Sequence, residues 1–245
     1  MKTVIINQAR MTSTRLPGKV LKEVLGKPLL EYQLERLQRV KLADEIVVAT
    51  TENATDDPII ELCDRLSIST FRGSEDDVLA RYYHAATRHH ADVIVRVTSD
   101  CPLIDPEIID HVIDHYLQNQ PECDYVSNCL QRTYPRGMDT EVFSFAALEQ
   151  AFLEATEQPD REHVTAFVQF RPERFHLKDV IGSGSSSQHR WTVDTVEDFE
   201  LIRRMLEGLY TQKPLFTLDD ALQLIERHPD WPLINAHVEQ KQYGE

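Results

Sequence analysis

Long apolar runs are missing from this 245-residue chain, which excludes a helix able to span a bilayer. Met1-Lys2 opens onto a short apolar stretch, too brief for a secretory signal, so the expected location is the cytoplasm. The four cysteines, Cys63, Cys101, Cys123 and Cys129, form no CxxC pair and no zinc-type spacing. Reduced thiols are expected there, and Cys63, on the apolar face of a helical pattern, belongs to the core. Excess positive charge is also missing. The formal net charge is −15, which argues against nucleic acid as a partner. Neither GxxxxGK[ST] nor GxGxxG occurs: Pro17-Gly18-Lys19-Val20 lacks the final hydroxyl and the upstream glycine of a P-loop. No HExxH accompanies His111 and His115, which stand four apart and read as a solvated helix face. No Ser/His/Asp or Cys/His arrangement offers a protein nucleophile, and there is no internal repeat.

Hydrophobic residues make up 41% of the chain, enough for a sizeable core and for one large α/β domain. Strand and helix patterns alternate. Thr3–Asn7, Glu45–Thr50, Ile68–Phe71 and Asp92–Thr98 read as strands. Helix faces are marked by Leu30, Leu34 and Leu37, by Ile59, Cys63 and Leu66, and by Val78, Leu79, Tyr82, Tyr83 and Ala86. Another is marked by Ile108, Ile109, Val112, Ile113 and Tyr116. This order predicts a doubly wound, mostly parallel sheet covered by helices on both faces. After about Glu122 the pattern changes. Asp124–Ser127 and Thr140–Ser144 read as strands around a polar turn, so 124–145 is expected to form a small β-containing lobe or dimerisation arm within a single domain spanning 1–245. Arg174–Ile181 and Arg190–Val193 read as further strands, with 182–187 as a mobile loop between them. A helix carrying Val196, Phe199, Ile202, Leu206 and Leu209 follows.

The charge is uneven. Residues 1–41 hold nine Lys/Arg against three Asp/Glu, whereas the remainder holds 17 against 38. A cationic segment in an acidic protein points to a local anionic ligand. Arg36, Arg39 and Lys41 are assigned to the outer face of the first helix. Arg10, Arg15 and Lys19 are different, because they lie with Thr12, Ser13 and Thr14 in the loop that opens directly after the first strand. Three cations and several hydroxyls at a buried strand's end suit a polyphosphate. In doubly wound sheets ligands bind at the strands' carboxyl ends, where strand order reverses. Asp100 and Asp194 are predicted at two other such ends. Neither is needed as a helix cap, since Asp105-Pro106 caps one following helix and Thr195 with Asp198 forms a capping box for the other. Two spare carboxylates facing a cationic loop make a candidate Mg²⁺ site, the rest of the shell being water and phosphate oxygen.

At these residues the chain resembles a known family. Ala9-Arg10, Ser13-Thr-Arg15 and Leu16-Pro-Gly-Lys19 are similar to the N-terminal signature of cytidylyltransferases that make CMP-activated sugar acids, the CMP-Kdo synthetases and, less closely, the acylneuraminate cytidylyltransferases. Phe71–Leu79, Thr98–Pro106, Tyr134–Phe143, Arg161–Thr165 and Arg190–Thr195 are similar to the branch named after a spore-coat polysaccharide biosynthesis protein. The matches keep their order over nearly the whole chain. The resemblance implies a nucleotide-diphospho-sugar transferase-like fold and transfer of CMP from CTP to a small acidic sugar, in a homodimer. It implies that Arg10, Ser13, Arg15 and Lys19 bind the triphosphate, that Arg72 lies near the cytosine, and that Asp100 and Asp194 hold the metal. Arg10, Lys19, Asp100 and Asp194 would then carry the catalysis. Arg136, Asp139, Glu141, Arg161, His163 and Arg190 are candidates for the acceptor, weighed against a salt-bridged surface; Arg161–His163 is placed at the head of a helix. Ser99-Asp100-Cys101-Pro102 stands where CMP-Kdo synthetases have Gly-Asp-Glu-Pro, which points away from Kdo itself. The alternatives are a sugar phosphate, polyol phosphate or phosphonate acceptor, a nucleotide-sugar-dependent glycosyltransferase, and a non-enzymatic nucleotide-binding protein.

Overall fold

Val4, Ile5 and Ile6 follow one another without a polar residue because their strand, β1 (Thr3–Gln8), is covered on both faces, and all three are fully buried. The computed structural model describes residues 1–182, 184 and 186–240. After β1 come a two-residue pair, β2 (Glu23–Val24) and β3 (Lys27–Pro28), then α1 (Leu29–Leu37), β4 (Glu45–Thr51), α2 (Asp57–Leu66), β5 (Ser69–Gly73), α3 (Val78–Arg88), β6 (Val93–Thr98) and α4 (Pro106–Gln118). The remaining elements are β7 (Tyr125–Ser127), β8 (Glu141–Ser144), α5 (Phe145–Glu154), α6 (Gln158–Glu162), α7 (Ala166–Gln169), β9 (Leu177–Asp179), α8 (Val196–Tyr210) and α9 (Leu218–Arg227).

The main sheet has the order β5-β4-β1-β6-β8-β7-β9. β5, β4, β1 and β6 run parallel, β8 is antiparallel to both its neighbours, and β9 is parallel to β7. The chain grows outward from β1 through β4 to β5, then returns to the other side of β1 with β6. The strand order therefore reverses between β1 and β6, and the loops leaving both strands open at one place.

Alternate residues of β1 serve opposite cores. Ile5 packs with α1, α2 and α4 through Leu34, Cys63 and Ile109, whereas Val4 and Ile6 pack with α3 and α5 through Leu79, Tyr82 and Leu148. A third core lies to one side, where α8 and α9 meet α1 and the β2–β3 pair around Trp191, Met205, Leu206 and Tyr32. Each fully buried side chain of this size contributes about 1.5–3 kcal/mol before entropy is counted. No helix among the described residues is long and apolar enough to cross a membrane.

The α/β class and the mostly parallel sheet are as expected, with three differences. Residues 124–145 do not stand apart: β7 and β8 are buried strands of the main sheet, and among the described residues only the β2–β3 pair forms a separate small sheet. Residues 190–193 form no strand of the sheet. They make an isolated bridge between Arg190 and Arg136, because their partner is the loop at 135–138 rather than a sheet edge. Arg36 is not on a solvated face. It is 3% exposed, since the turn before α9 closes over α1 and takes its hydrogen bonds. Of the loop at 182–187, Ser183 and Ser185 lie outside the described residues.

Candidate active site

The register Gln8↔Thr98 sets the exits of β1 and β6 side by side, and Ser99 N–H extends the pairing by donating to the Gln8 carbonyl at 3.1 Å. The loop after β1 is then folded back by two devices. Gly18 adopts φ 68°, a left-handed conformation that a side chain disfavours, and its N–H donates to the Met11 carbonyl at 2.8 Å. Asp56, fully buried, accepts from Met11 N–H at 2.8 Å and from the Thr50 and Thr51 hydroxyls. The first three cations are thereby presented from a braced loop.

Lys19 lies at the centre. Its Nζ is 2.8 Å from Asp194 Oδ1 and 3.3 Å from Asp100 Oδ2. Arg15 Nη2 reaches Asp194 Oδ2 at 3.0 Å, and Arg190 Nη2 reaches the same oxygen at 2.8 Å. Burial alone would disfavour the charge on Lys19, but the two carboxylates outweigh it and hold its pKa above the ordinary lysine value. Burial likewise opposes the Asp100 charge. Lys19 and the hydrogen bond from the Thr98 hydroxyl win there too, and keep the carboxyl below its usual range.

Asp194 is carried by a scaffold of its own. Val193 N–H donates to the Asp100 carbonyl at 2.8 Å, which ties the two acids together through the backbone. The Thr195–Asp198 capping box starts α8, and fully buried Asp198 also accepts from Arg190 Nε at 2.9 Å and Asn235 Nδ2 at 2.8 Å. Asp105, as expected, caps α4 through Glu107 N–H at 2.9 Å, leaving Asp100 for other work.

Two cavities meet at this pair. One, of about 350 Å³, is lined by Arg10, Ser13, Arg15 and Lys19 on one wall and by Glu75 and Arg81 on the other. The second, of about 340 Å³, is lined by Arg136, Asp139, Glu141 and the thiol-bearing Cys101 and Cys129. Arg96, Thr98, Asp100, His163 and Asp194 border both. Two carboxylates flank a position now filled by an ammonium group. Among the described residues no cluster of three or more His, Cys, Asp or Glu could hold a metal alone. A divalent cation between Asp100 and Asp194 would therefore complete its shell with water or a ligand's oxygens, a donor set that suits Mg²⁺ better than zinc.

The other sequence candidates separate. Arg136 makes no ion pair or side-chain hydrogen bond with the described residues and faces the second cavity as a spare cation. Asp139 is held there bidentately by Arg132, at 2.6 and 2.9 Å. Arg190 lines neither cavity; its guanidinium is committed to Asp194 and Asp198, so it positions a carboxylate. Arg161 also lines neither. It grips Asp77 and the Phe152 carbonyl from the last turn of α6, not from a helix head, because α6 begins at Gln158 with Pro159 in its first turn. Arg72 is likewise outside the lining residues, with its three donors on the Thr51 and Asn53 carbonyls and Asp57.

Three residues escape a linear reading. Glu75 accepts from Arg10, Thr12 and Asn53 and closes the far end of the first cavity. Arg81 borders that cavity while its Nη1 donates to the Ser74 carbonyl at 2.6 Å. Arg96 pairs with Glu141, which also accepts from Tyr125 Oη at 2.7 Å and from Thr165 Oγ1 and Gln169 Nε2 at 2.6 Å. The only sequence signal for Arg96 is a charge within an apolar strand. Arg96→Met would leave Glu141 charged and buried, a loss of roughly 3–5 kcal/mol. Denaturant unfolding should show that loss, and adding Glu141→Gln should return much of it. Additive single losses would dismiss the coupling.

Gly137 follows Arg136 of the second cavity and packs against the segment that leads to Asp194. Its φ is 106°, and a Cβ there would stand 2.7 Å from the Trp191 carbonyl oxygen. Gly137→Ala is expected to push the 135–138 loop off the 190–192 segment. Strain of this kind is worth about 1–3 kcal/mol, read as a melting-temperature drop of several degrees. An unchanged melting curve would show that the loop yields freely.

The chain is similar to known proteins over nearly its whole length. A family model described as cytidylyltransferase matches residues 3–233. An uncharacterised protein of Methanocaldococcus jannaschii is 38% identical over 249 residues, covering 100% of this chain and 99% of that protein. The spore coat polysaccharide biosynthesis protein SpsF of Bacillus subtilis is 31% identical, covering 93% of this chain and 95% of its own. The solved structure of a cytidylyltransferase from Leptospira borgpetersenii superposes with a TM-score of 0.91 at 36% identity, covering 99% of both chains.

Proposed function

The chain belongs to the cytidylyltransferase family, and from that premise we propose that it transfers CMP from CTP to an acidic sugar, with Mg²⁺ between Asp100 and Asp194 and with release of pyrophosphate. The observation that carries this reading is the meeting of two cavities at one pair of carboxylates. The first has the cations and hydroxyls that a triphosphate requires. The second offers Arg136 as an uncommitted cation for an acceptor's carboxylate. An acceptor oxygen placed near the shared border is in position to attack the α-phosphorus. The acceptor hydroxyl would give up its proton to solvent as a new P–O bond forms there, and the bond from the α-phosphorus to the pyrophosphate oxygen breaks.

The chain's residues act by placement and charge, as phosphoryl transfer demands. Arg10, Arg15 and Lys19 would neutralise charge growing on the leaving pyrophosphate. Arg190 and Asp198 hold Asp194 at its angle, and the Val193–Asp100 bond fixes the spacing of the two acids. The chemistry that a divalent cation supplies when bound is neutralisation of phosphate oxygens and alignment of the acceptor. The resemblance to sugar-acid cytidylyltransferases and the name of the B. subtilis relative support surface polysaccharide synthesis as the setting.

The test is pyrophosphate release with each of four nucleoside triphosphates and a panel of acidic sugars, with and without Mg²⁺. Turnover is expected with CTP, an acidic sugar and the metal together. Turnover with ATP or UTP in place of CTP would overturn the base assignment. Turnover only with sugar phosphates, polyol phosphates or phosphonates would move the acceptor to that class. Hydrolysis of UDP-sugars without pyrophosphate release would replace the transfer by glycosyl chemistry.

A further inference from the structure

Away from the two cavities already described, α1, the end of α8 and the turn before α9 enclose a cavity of about 310 Å³. Tyr32, Tyr210, Leu215 and Phe216 supply apolar and aromatic wall, and Arg36 and Arg39 supply charge. It shares no lining residue with the other two. The two arginines stand three positions apart and both line the cavity. Arg36 is almost wholly buried. Its Nε donates to the Ile104 carbonyl at 2.6 Å, its Nη2 donates to the Phe216 carbonyl at 3.1 Å, and its guanidinium lies 3.9 Å from the Phe216 ring centroid. Its Nη1 is buried with no hydrogen-bond partner, and so is Nη1 of Arg39. Neither arginine forms an ion pair among the described residues.

The neighbouring acids are already committed. Glu35 is paired with Lys27 and Tyr210 Oη, and Asp105 accepts from Glu107 and Leu218 N–H. Burial lowers the Arg36 pKa to about 10; Asp105 opposes this, and the like charge of Arg39 adds to it by less than Asp105 takes away. Buried polar groups without partners are costly, and although Glu35 lines this cavity, neither it nor Asp105 forms an ion pair with Arg36 or Arg39, whose Nη1 atoms stay unpartnered.

We propose that this cavity is a binding site for a small organic anion, with an oxyanion head between Arg36 and Arg39 and a flat apolar body against Tyr210 and Phe216. Guanidinium groups suit phosphate and carboxylate heads by geometry as well as charge. The volume is near the lower end for small-molecule sites. A ligand there would pin α1 to the end of the helix whose opposite end follows Asp194. The proposal does not rest on the nucleotide-transfer reading.

The test is hydrogen exchange of the full chain with millimolar phenyl phosphate or benzoate, at matched ionic strength, against a chloride control. Three proteins are compared: wild type, Arg39→Gln and Lys19→Gln. Arg39 makes no ion pair, so its replacement should fold. Lys19→Gln weakens any binding of the probe in the nucleotide cleft. Protection is expected across residues 29–39 and 208–218 in wild type and Lys19→Gln, with affinity at least about tenfold weaker in Arg39→Gln. Whichever probe binds more tightly assigns the head as phosphate or carboxylate. Protection confined to residues 8–19 and 96–101, protection undiminished in Arg39→Gln, equal protection by chloride, or no protection would each overturn the site.

Discussion

Asp194→Ala, and separately Asp100→Ala, should lower turnover with CTP at least about a hundredfold, the scale on which loss of one preorganised electrostatic group acts. Asp194 should show the larger effect, because three cations converge on it. Lys19 and Arg15 lie 2.8 and 3.0 Å from its oxygens, and Arg190 lies at 2.8 Å. Without the carboxylate these cations face one another, so the alanine variant loses stability as well as chemistry. Asp194→Asn separates the two effects. It keeps an oxygen for the three cations and the shape of the side chain, but removes the charge a divalent cation would require. Single-turnover pyrophosphate release should therefore be nearly as low in Asp194→Asn as in Asp194→Ala, while the thermal melt of the asparagine variant stays closer to wild type. Near-normal turnover in both Asp100 and Asp194 variants would remove the carboxylate pair from the reaction altogether.

The asymmetry between these two acids was only half legible in the sequence. Asp100 could be placed from its neighbours, since β6 ends at Thr98 and Asp105 visibly caps the next helix. The capping box beyond Asp194 was equally plain. The extended run 190–193, however, looks like a strand, and local pattern does not say that its partner is a loop. Pairing is decided by residues more than fifty positions away, here Arg136 and Asp100, and so is the exact placement of Asp194. The same limit hid Arg96 and its pairing with Glu141, itself a candidate for acceptor contact. Arg96 reads as a charge interrupting an apolar strand, and only the antiparallel insertion of β8 beside β6 sets the two opposite one another. Arg36 was misread for a related reason: the periodicity of α1 shows which face is apolar, not that the chain returns some 180 residues later to bury its arginine. By contrast, Arg10, Ser13, Arg15 and Lys19 lie in a single loop, so their meeting at one cavity wall needed only the strand before them to be right.

Lys19→Met carries the second large effect, and it reaches beyond rate. In this structure the Lys19 ammonium pairs with both Asp100 and Asp194, the residues that would hold a divalent cation on the proposed reading. On that reading Lys19 would compete with the metal, and a triphosphate would relieve the competition by offering the ammonium phosphate oxygens. Removing the amine should cut turnover about a hundredfold or more, because a charge-neutralising group on the leaving pyrophosphate is lost. It should also leave Asp100 without its ion-pair partner beside Asp194, which keeps Arg15 and Arg190. The nucleotide-free variant is then expected to melt below wild type and to recover as Mg²⁺ is added. The wild-type melt should respond little to the metal. The size follows from linkage: Mg²⁺ at a hundred times its dissociation constant would return about 2.7 kcal/mol, provided the unfolded chain does not bind it. Calorimetric titration with Mn²⁺ should show tighter binding to nucleotide-free Lys19→Met than to wild type, and Asp194→Asn added to Lys19→Met should abolish that gain. Metal-independent melting of Lys19→Met, or weaker Mn²⁺ binding than wild type, would mean that Asp100 and Asp194 do not form a cation site even when the lysine is out of the way.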